Sequence, residues 1–384
     1  MIGVVTMISN GLTFPFVPLY VTQEFTASML LVELVVSGYF LLRIFSELPF
    51  GVTSDRIGPQ KPLLFGKILA IVAPFSCWVA TDVYQLVAAR AMWGMGDAAY
   101  FCVSTVYVAS IFSERDRGKA IGMFTAVEWG GNLLGQSLSG FVSPSFGIRN
   151  TYLISTVLSV VALILLALMR FQKDPLSIPS GRSILPSWST MRSAVNISVL
   201  IACIVIFFTM LRNNGVISEI FPIYVMEELG ASPTEYGLLT ATSTGGAVLG
   251  MSLGGLISDR FGRKRTLVLG FGIGVADTYL LTVNNLLVLF PIMGMNGLFW
   301  GIAYSVTPAL VADSVTNNVR GIAIGIFRTF FDLGGLTGPI ILSAVAEAIG
   351  LPYGYIITFY IATALMFVNI LIVLLLKTKR ALPT

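Results

Sequence analysis

The sequence contains no histidine. Neither a histidine-activated nucleophile nor a histidine metal site can be built from it, and any proton relay has to run through carboxylates. Charge is scarce too: Asp, Glu, Lys and Arg make up 11% of the 384 residues, where a soluble domain carries about a quarter. The net charge of +4 is dispersed along the chain, which excludes the clustered basic face of a nucleic-acid binder. The three cysteines, Cys77, Cys102 and Cys203, all sit in apolar runs and have the spacing of neither a disulfide framework nor a metal site. No Gly-x-x-x-x-Gly-Lys-Ser/Thr loop is present, so ATP-driven work is not expected. No metal, no cofactor and no enzymatic chemistry are expected. Met1 leads straight into an apolar run without a charged n-region or a small-residue cleavage site, and no signal peptide is read there.

What the chain has is hydrophobic length, 55% of its residues being hydrophobic. Crossing about 30 Å of hydrocarbon takes roughly 20 apolar residues. Twelve runs qualify: 2–22, 29–52, 62–80, 83–111, 118–142, 150–171, 195–226, 233–257, 266–283, 286–313, 321–346 and 353–376. Connections are short except 172–194, where Pro175, Pro179, Gly181 and Pro186 among serines mark a flexible linker. The expected fold is an all-α membrane protein of twelve transmembrane helices, with six-helix bundles at 1–171 and 195–384. Of the 23 lysines and arginines, 18 fall in even–odd loops and end segments, Arg56, Lys67, Arg115, Arg260 and Lys377 among them. The positive-inside rule then places both termini and the linker in the cytoplasm of a cell membrane.

The chain repeats itself at half its length. Gly51-Val52-Thr53-Ser54-Asp55-Arg56-Ile57-Gly58 returns 204 positions later as Gly255-Leu256-Ile257-Ser258-Asp259-Arg260-Phe261-Gly262, followed by Arg263. Pro18-Leu19-Tyr20-Val21 returns as Pro222-Ile223-Tyr224-Val225, again 204 apart, and Arg117-Gly118-Lys119-Ala120 returns as Arg320-Gly321-Ile322-Ala323 at 203. Equal helix number and equal orientation make these parallel repeats about an axis along the membrane normal. By that register Met1 matches Val205, about ten residues into its helix. The first helix is therefore expected to be short at its inner end, or its start to lie downstream of the true one.

Twelve helices in two such halves resemble the major facilitator superfamily over essentially the whole chain. The superfamily's loop motif, Gly-x-x-x-Asp-Arg-x-Gly-x-basic-basic, is matched fully at 255–265, while the first copy has Gln60 at one basic position. Arg90-Ala91-Met92-Trp93-Gly94 resembles its helix-4 pattern. Gly131-Asn132-Leu133-Leu134-Gly135-Gln136 resembles the antiporter motif of helix 5, departing at Gln136, where the family has proline, and at Ser139. Helix 11 carries Gly334-Gly335-Leu336-Thr337-Gly338-Pro339 with its proline intact. The resemblance implies a secondary transporter of the drug:proton antiporter-like branch, working as a monomer on a small molecule and protons among membrane lipids. In that reading Gly51, Asp55, Arg56, Gly58, Gly255, Asp259, Arg260, Gly262 and Arg263 form a paired cytoplasmic gate. A helix N-terminus favours an aspartate by about 0.3–1 kcal/mol, so Asp55 and Asp259 would act as latches; the outer basic residues do no more than fix topology. Gly131, Gly135, Gly334, Gly338 and Pro339 form a close-packing seam, either one that rocks during transport or plain helix packing.

Ionisable groups at bilayer depth cost at least about 2.5–3.5 kcal/mol each and pair or line a cavity. Spacing suggests Arg43–Glu47 and Arg328–Asp332 as i,i+4 pairs, and Arg90–Asp97 and Arg212–Glu219 as i,i+7 pairs. Glu33, Asp277 and Glu128 are left without local partners, and Glu33 and Glu219 are expected to lie hydrated near the outer surface. Arg43–Glu47 is read as a peripheral structural pair and Asp313 as a helix-terminal charge. The candidates for proton coupling or substrate contact are Asp97, Glu128, Arg90, Arg212, Glu219, Asp332 and Arg328. The cavity is otherwise expected to be apolar and aromatic, lined by Phe14, Phe16, Tyr20, Trp93, Tyr100, Trp129, Phe299, Trp300 and Tyr304, which suits lipophilic or cationic compounds through cation–π attraction. The alternatives are a metabolite symporter or uniporter for an organic anion or sugar-like solute, and a non-transporting membrane sensor.

Overall fold

The computed structural model describes residues 1–25, 29–112, 117–169, 192–316 and 319–376, which contain helix and no strand. Among them twelve long helical segments follow one another: α1 (Ile2–Phe25), α2 (Met29–Ile57), α3 (Gln60–Val79), α4 (Val83–Ile111), α5 (Arg117–Phe146), α6 (Ile148–Leu168), α7 (Ile197–Glu228), α8 (Pro233–Phe261), α9 (Arg263–Leu280), α10 (Leu286–Asp313), α11 (Arg320–Ile349) and α12 (Tyr353–Leu374). Seven of these, α1, α3, α6, α7, α10, α11 and α12, are by length and composition apolar enough to cross a membrane. The remaining five carry most of the buried charge. Large apolar side chains such as Phe45, Leu249, Leu256 and Phe367 face outward while Arg90, Asp97, Arg212 and Asp277 are buried, the arrangement a lipid solvent imposes. Most of the expected linker, 172–194, lies outside the described residues.

The ends of the helices follow from local chemistry. Asp82 caps α4 by accepting from the Tyr84 amide at 2.6 Å, Asn196 caps α7 through Val199 at 3.0 Å, and Ser232 with Glu235 forms a capping box on α8. The doubled motif, expected as a loop, is helical almost throughout. Residues 51–57 are the last turns of α2 and 255–261 those of α8. The reversal is confined to Gly58 and Gly262, whose φ of 83° and 88° only glycine adopts without strain.

The two halves repeat one neighbour list. In the first half α1 packs on α5 and α6, α2 on α4, and α3 on α4 and α6; in the second α7 packs on α11 and α12, α8 on α10, and α9 on α10 and α12. Between halves the most extensive contacts are α2 with α11 and α5 with α8, pairs that exchange under the same two-fold operation. The repeat also shares its faults. α1 tightens to a 3-10 turn at Phe14–Phe16 beside Pro15 and Pro18, and α7 widens to π-turns at Asn213–Ile220 and Tyr224–Glu228 around Pro222. Proline removes an amide and clashes one turn back, which breaks the regular ladder.

The glycine seam works within each half rather than between them. A Cβ on Gly131 or Gly135 would run into the Val4 and Ile8 carbonyls of α1, and one on Gly334 or Gly338 into those of Phe207 and Leu211 of α7. These glycines fasten α5 to α1 and α11 to α7. The close approach that crosses the halves is Gly140 of α5 against Gly237 of α8, with the Thr234 hydroxyl donating to the Gly140 carbonyl at 2.9 Å. It lies at the end remote from Gly58 and Gly262, so the halves are sealed there.

Candidate functional site

Between the halves lies a cavity of about 300 Å³, walled by α1, α2, α4, α5, α7, α8, α10 and α11. Of the nine aromatics expected on its wall, Phe14, Trp129, Trp300 and Tyr304 are there; Phe16, Tyr20, Trp93, Tyr100 and Phe299 are packed in the bundle core. The lining is also less apolar than expected. Asn10, Asn132, Gln136, Asn213, Asn214 and Asn296 all reach it. Such residues have no hydropathy or charge pattern that singles them out. The one available signal is Asn132 and Gln136, each directly following a seam glycine, so that the glycines meet α1 while the amides turn to the cavity.

Glu128 is on the cavity wall and only 5% exposed, its Oε1 accepting from the Tyr100 hydroxyl at 3.0 Å. Behind it is a residue the sequence placed elsewhere. Lys67, counted above among loop charges, is inside α3 and 1% exposed. Its Nζ donates to Thr6 Oγ1 at 2.5 Å and rests 3.5 Å from the Tyr100 ring centre. An ammonium in such a site is held by the ring quadrupole, and the same Tyr100 bonds Glu128 through its hydroxyl.

Asp97 is not the partner of Arg90. It accepts from Tyr39 Oη at 2.7 Å and Asn10 Nδ2 at 2.9 Å, and Asn10 accepts in turn from Trp93 Nε1 at 3.2 Å. The Arg90 guanidinium lies against the rings of Phe14, Tyr39 and Trp93 at 4.9, 5.1 and 5.6 Å, and its Nε has no hydrogen-bond partner. Arg212 does not pair with Glu219 either. Fully buried, it donates to Asp277 Oδ2 at 2.5 Å and to Thr278 Oγ1 at 3.0 Å, and it does not reach the cavity. Asp277, which spacing left alone, also accepts from Asn296 Nδ2 at 2.9 Å. Glu219 and Glu33, expected hydrated, are both fully buried, and none of their carboxylate oxygens has a hydrogen-bond partner. For Asp97, Arg212 and Asp277 a neighbouring helix, about 8–10 Å away between axes, offers a nearer partner than the next turns of the same helix.

The Arg43–Glu47 pair is not peripheral. Arg43 lines the cavity, and its Nε is 3.5 Å from Glu47 and 3.6 Å from Asp332 of α11, while Arg328 reaches back to Glu47 at 3.9 Å. Arg328 and Asp332, expected to pair with each other, instead both reach across to α2. The four charges form a loose network between the halves, at separations longer than hydrogen bonds.

The sequence model described as Major Facilitator Superfamily matches residues 1–217 and again residues 202–384. The chain belongs to the Major Facilitator Superfamily. Among its relatives is the multidrug resistance protein MdtG of Rahnella sp. (strain Y9602), 23% identical over 94% of this chain and 87% of that one. Another is multidrug resistance protein 2 of Bacillus subtilis (strain 168), 23% identical over 87% and 84%. Among solved structures, a bacterial homologue of the human lysosomal transporter Spinster, described as inward-facing and unoccupied, superposes with a TM-score of 0.78 at 15% identity, covering 97% of this chain and 93% of that one. That likeness shows the fold.

The superfamily loop motif can be followed in its second copy. Arg263 donates from NH1 to Asp259 at 2.8 Å and to Ser258 at 2.6 Å, and from Nε to Asp313 of α10 at 2.9 Å. Asp313 is therefore tied into the motif rather than standing as a bare terminal charge. Arg260 turns instead over the Phe261 ring at 5.5 Å. In the first copy the Asp55 and Arg56 side chains lie outside the described residues.

Proposed function

We propose that this superfamily member is a proton-coupled exporter of small amphipathic molecules, which it moves through the central cavity by alternating access. The observation that carries the coupling is Glu128: a carboxylate on the cavity wall, backed by the buried Lys67 through Tyr100. An acid so placed exchanges a proton with the cavity, and a solute that hydrogen-bonds to one of its protonation states in preference to the other ties its own binding to the proton. Asp97, bonded to cavity-lining Asn10, is the second exchange group. Export is supported by the multidrug-resistance names of relatives at 23% identity, and a lipophilic moiety by the aromatic cluster of Trp129, Trp300, Tyr304 and Phe331 on the wall. The moving units are residues 1–171 and 195–384 with 172–194 linking them, both termini are cytoplasmic, and the monomer in its lipid is the working form.

The test uses proteoliposomes carrying an imposed pH gradient and a trapped pH dye. Adding members of a panel of neutral and cationic drugs is expected to move protons in wild type and not in Glu128→Gln or Asp97→Asn. Solute flux that ignores the gradient and both substitutions would sink the coupling.

A further inference from the structure

The cavity wall points to a substrate more specific than an amphipathic compound. We infer that it binds an uncharged solute whose multiply hydrogen-bonding portion, a polyol or an amide-rich group, is attached to a flat aromatic portion. This rests on the transporter reading and names the substrate class within it.

Three features converge. The first is a preorganised belt of amides. Asn10 is held by Asp97, and Asn296 by Asp277, at 2.9 Å each. Gln136 donates to Asn132 Oδ1 at 2.6 Å and accepts from the Thr244 hydroxyl of the other half at 2.6 Å. A carboxamide has two donor hydrogens and two acceptor lone pairs, so each of these, after its structural bonds, still offers both functions to a ligand. Among the described residues Asn132 Nδ2 and the side chains of Asn213 and Ser218 have no hydrogen-bond partner at all. Asn213 and Ser218 are presented by the π-turn of α7, a distortion that recurs at functional sites.

The second is a ring platform. Trp129 of one half meets Tyr304 of the other edge-on at 5.5 Å, and Tyr304 stands 5.6 Å from Trp300 and 6.2 Å from Phe331. All four line the cavity.

The third is charge compensation. The charged side chains on the wall are Arg43, Arg328 and Glu128. The arginines face Glu47 and Asp332, and Glu128 is bonded by Tyr100, whose ring carries the Lys67 amine on its face. A lipophilic cation would have to compete with a resident lysine for its acid. An uncharged solute leaves every pair intact and meets donors and acceptors of both kinds, and a cavity of this size is at the small end for organic ligands.

The experiment measures thermal stability of the purified protein in lipid nanodiscs with phenyl β-glucoside, 4-nitrophenyl β-glucoside, glucose, phenol and tetraphenylphosphonium, followed by counterflow in proteoliposomes. The aryl glucosides are expected to raise the unfolding temperature, and glucose, phenol and the phosphonium to do so far less. Asn132→Ala and Asn213→Ala should each weaken aryl glucoside binding about tenfold, or about 1.4 kcal/mol, with Asn213→Ser recovering part of the loss. No aryl glucoside shift, a larger shift with the phosphonium, or binding untouched by both asparagine variants overturns the proposal. Aryl glucoside binding without counterflow would instead defeat the transporter reading and leave the binding class standing; phosphonium counterflow alone does the reverse.

Discussion

Replacing Lys67 by Met removes a buried charge while nearly preserving volume, so packing is little disturbed. The direct losses are the contact with the Tyr100 ring at 3.5 Å and the bond to Thr6. A desolvated cation–π contact contributes about 2 kcal/mol and a charged hydrogen bond about 1.5–3 kcal/mol. Burying the ammonium costs several kcal/mol, so these terms largely cancel. The net effect then comes from the acids left behind. Asp97 keeps its two bonds, from Tyr39 and Asn10, whereas Glu128 keeps one, from Tyr100. Removing one partner of a buried charge cluster costs about 3–5 kcal/mol, and here most of that cost falls on Glu128. Lys67→Met is therefore expected to lose about 3–5 kcal/mol. Adding Glu128→Gln, which accepts the same Tyr100 bond without charge, should return about 2 kcal/mol of it. The assay is denaturant unfolding in mixed micelles of wild type, both single variants and the double variant at one pH. If the two single effects add to within about 0.5 kcal/mol, Lys67 and Glu128 do not sense one another, and the proposed role of the lysine fails with them.

Three further expectations follow from particular contacts. Asp277→Asn should destabilise by about 3–5 kcal/mol by leaving Arg212 uncompensated, and Arg212→Lys should also lose stability because Lys cannot bond Asp277 and Thr278 with one planar fork; both are read by thermal unfolding, and an unshifted midpoint in Asp277→Asn contradicts the pairing. Exchanging charges across the halves, Arg43→Asp with Asp332→Arg, should restore transport that each substitution alone abolishes; a double variant as inactive as the singles would show that the network has a role other than mutual attraction. Asp259→Asn should slow transport at least as much as Asp55→Asn while changing stability by no more than about 1 kcal/mol, because Asp259 is 71% exposed and its pair with Arg263 is a surface one; comparing initial transport rates with melting curves checks both halves of that statement.

The sequence by itself determined the number and order of the helices and the relation between halves, but not where α2 and α8 end. A helix satisfies its backbone locally and a bilayer demands about 20 apolar residues per crossing, so both leave a periodic trace along the chain. Pro18 and Pro222, or Gly58 and Gly262, are recognisable as one position used twice without any knowledge of what surrounds them. What only the tertiary structure decided is which charge meets which. Spacing matches Arg90, Arg212 and Arg328 each to an acid on its own helix, whereas Arg90 lies against three rings, Arg212 meets Asp277 of α9 and Arg328 meets Glu47 of α2. Lys67 looked like a topology signal and proved to be an interior cation. The cavity's amides were invisible for the same reason. Spacing along one helix orders candidates by turn, whereas a bundle brings side chains from several helices within hydrogen-bond range of one point, and which ones arrive there is set by packing of glycines, prolines and rings far away in the sequence.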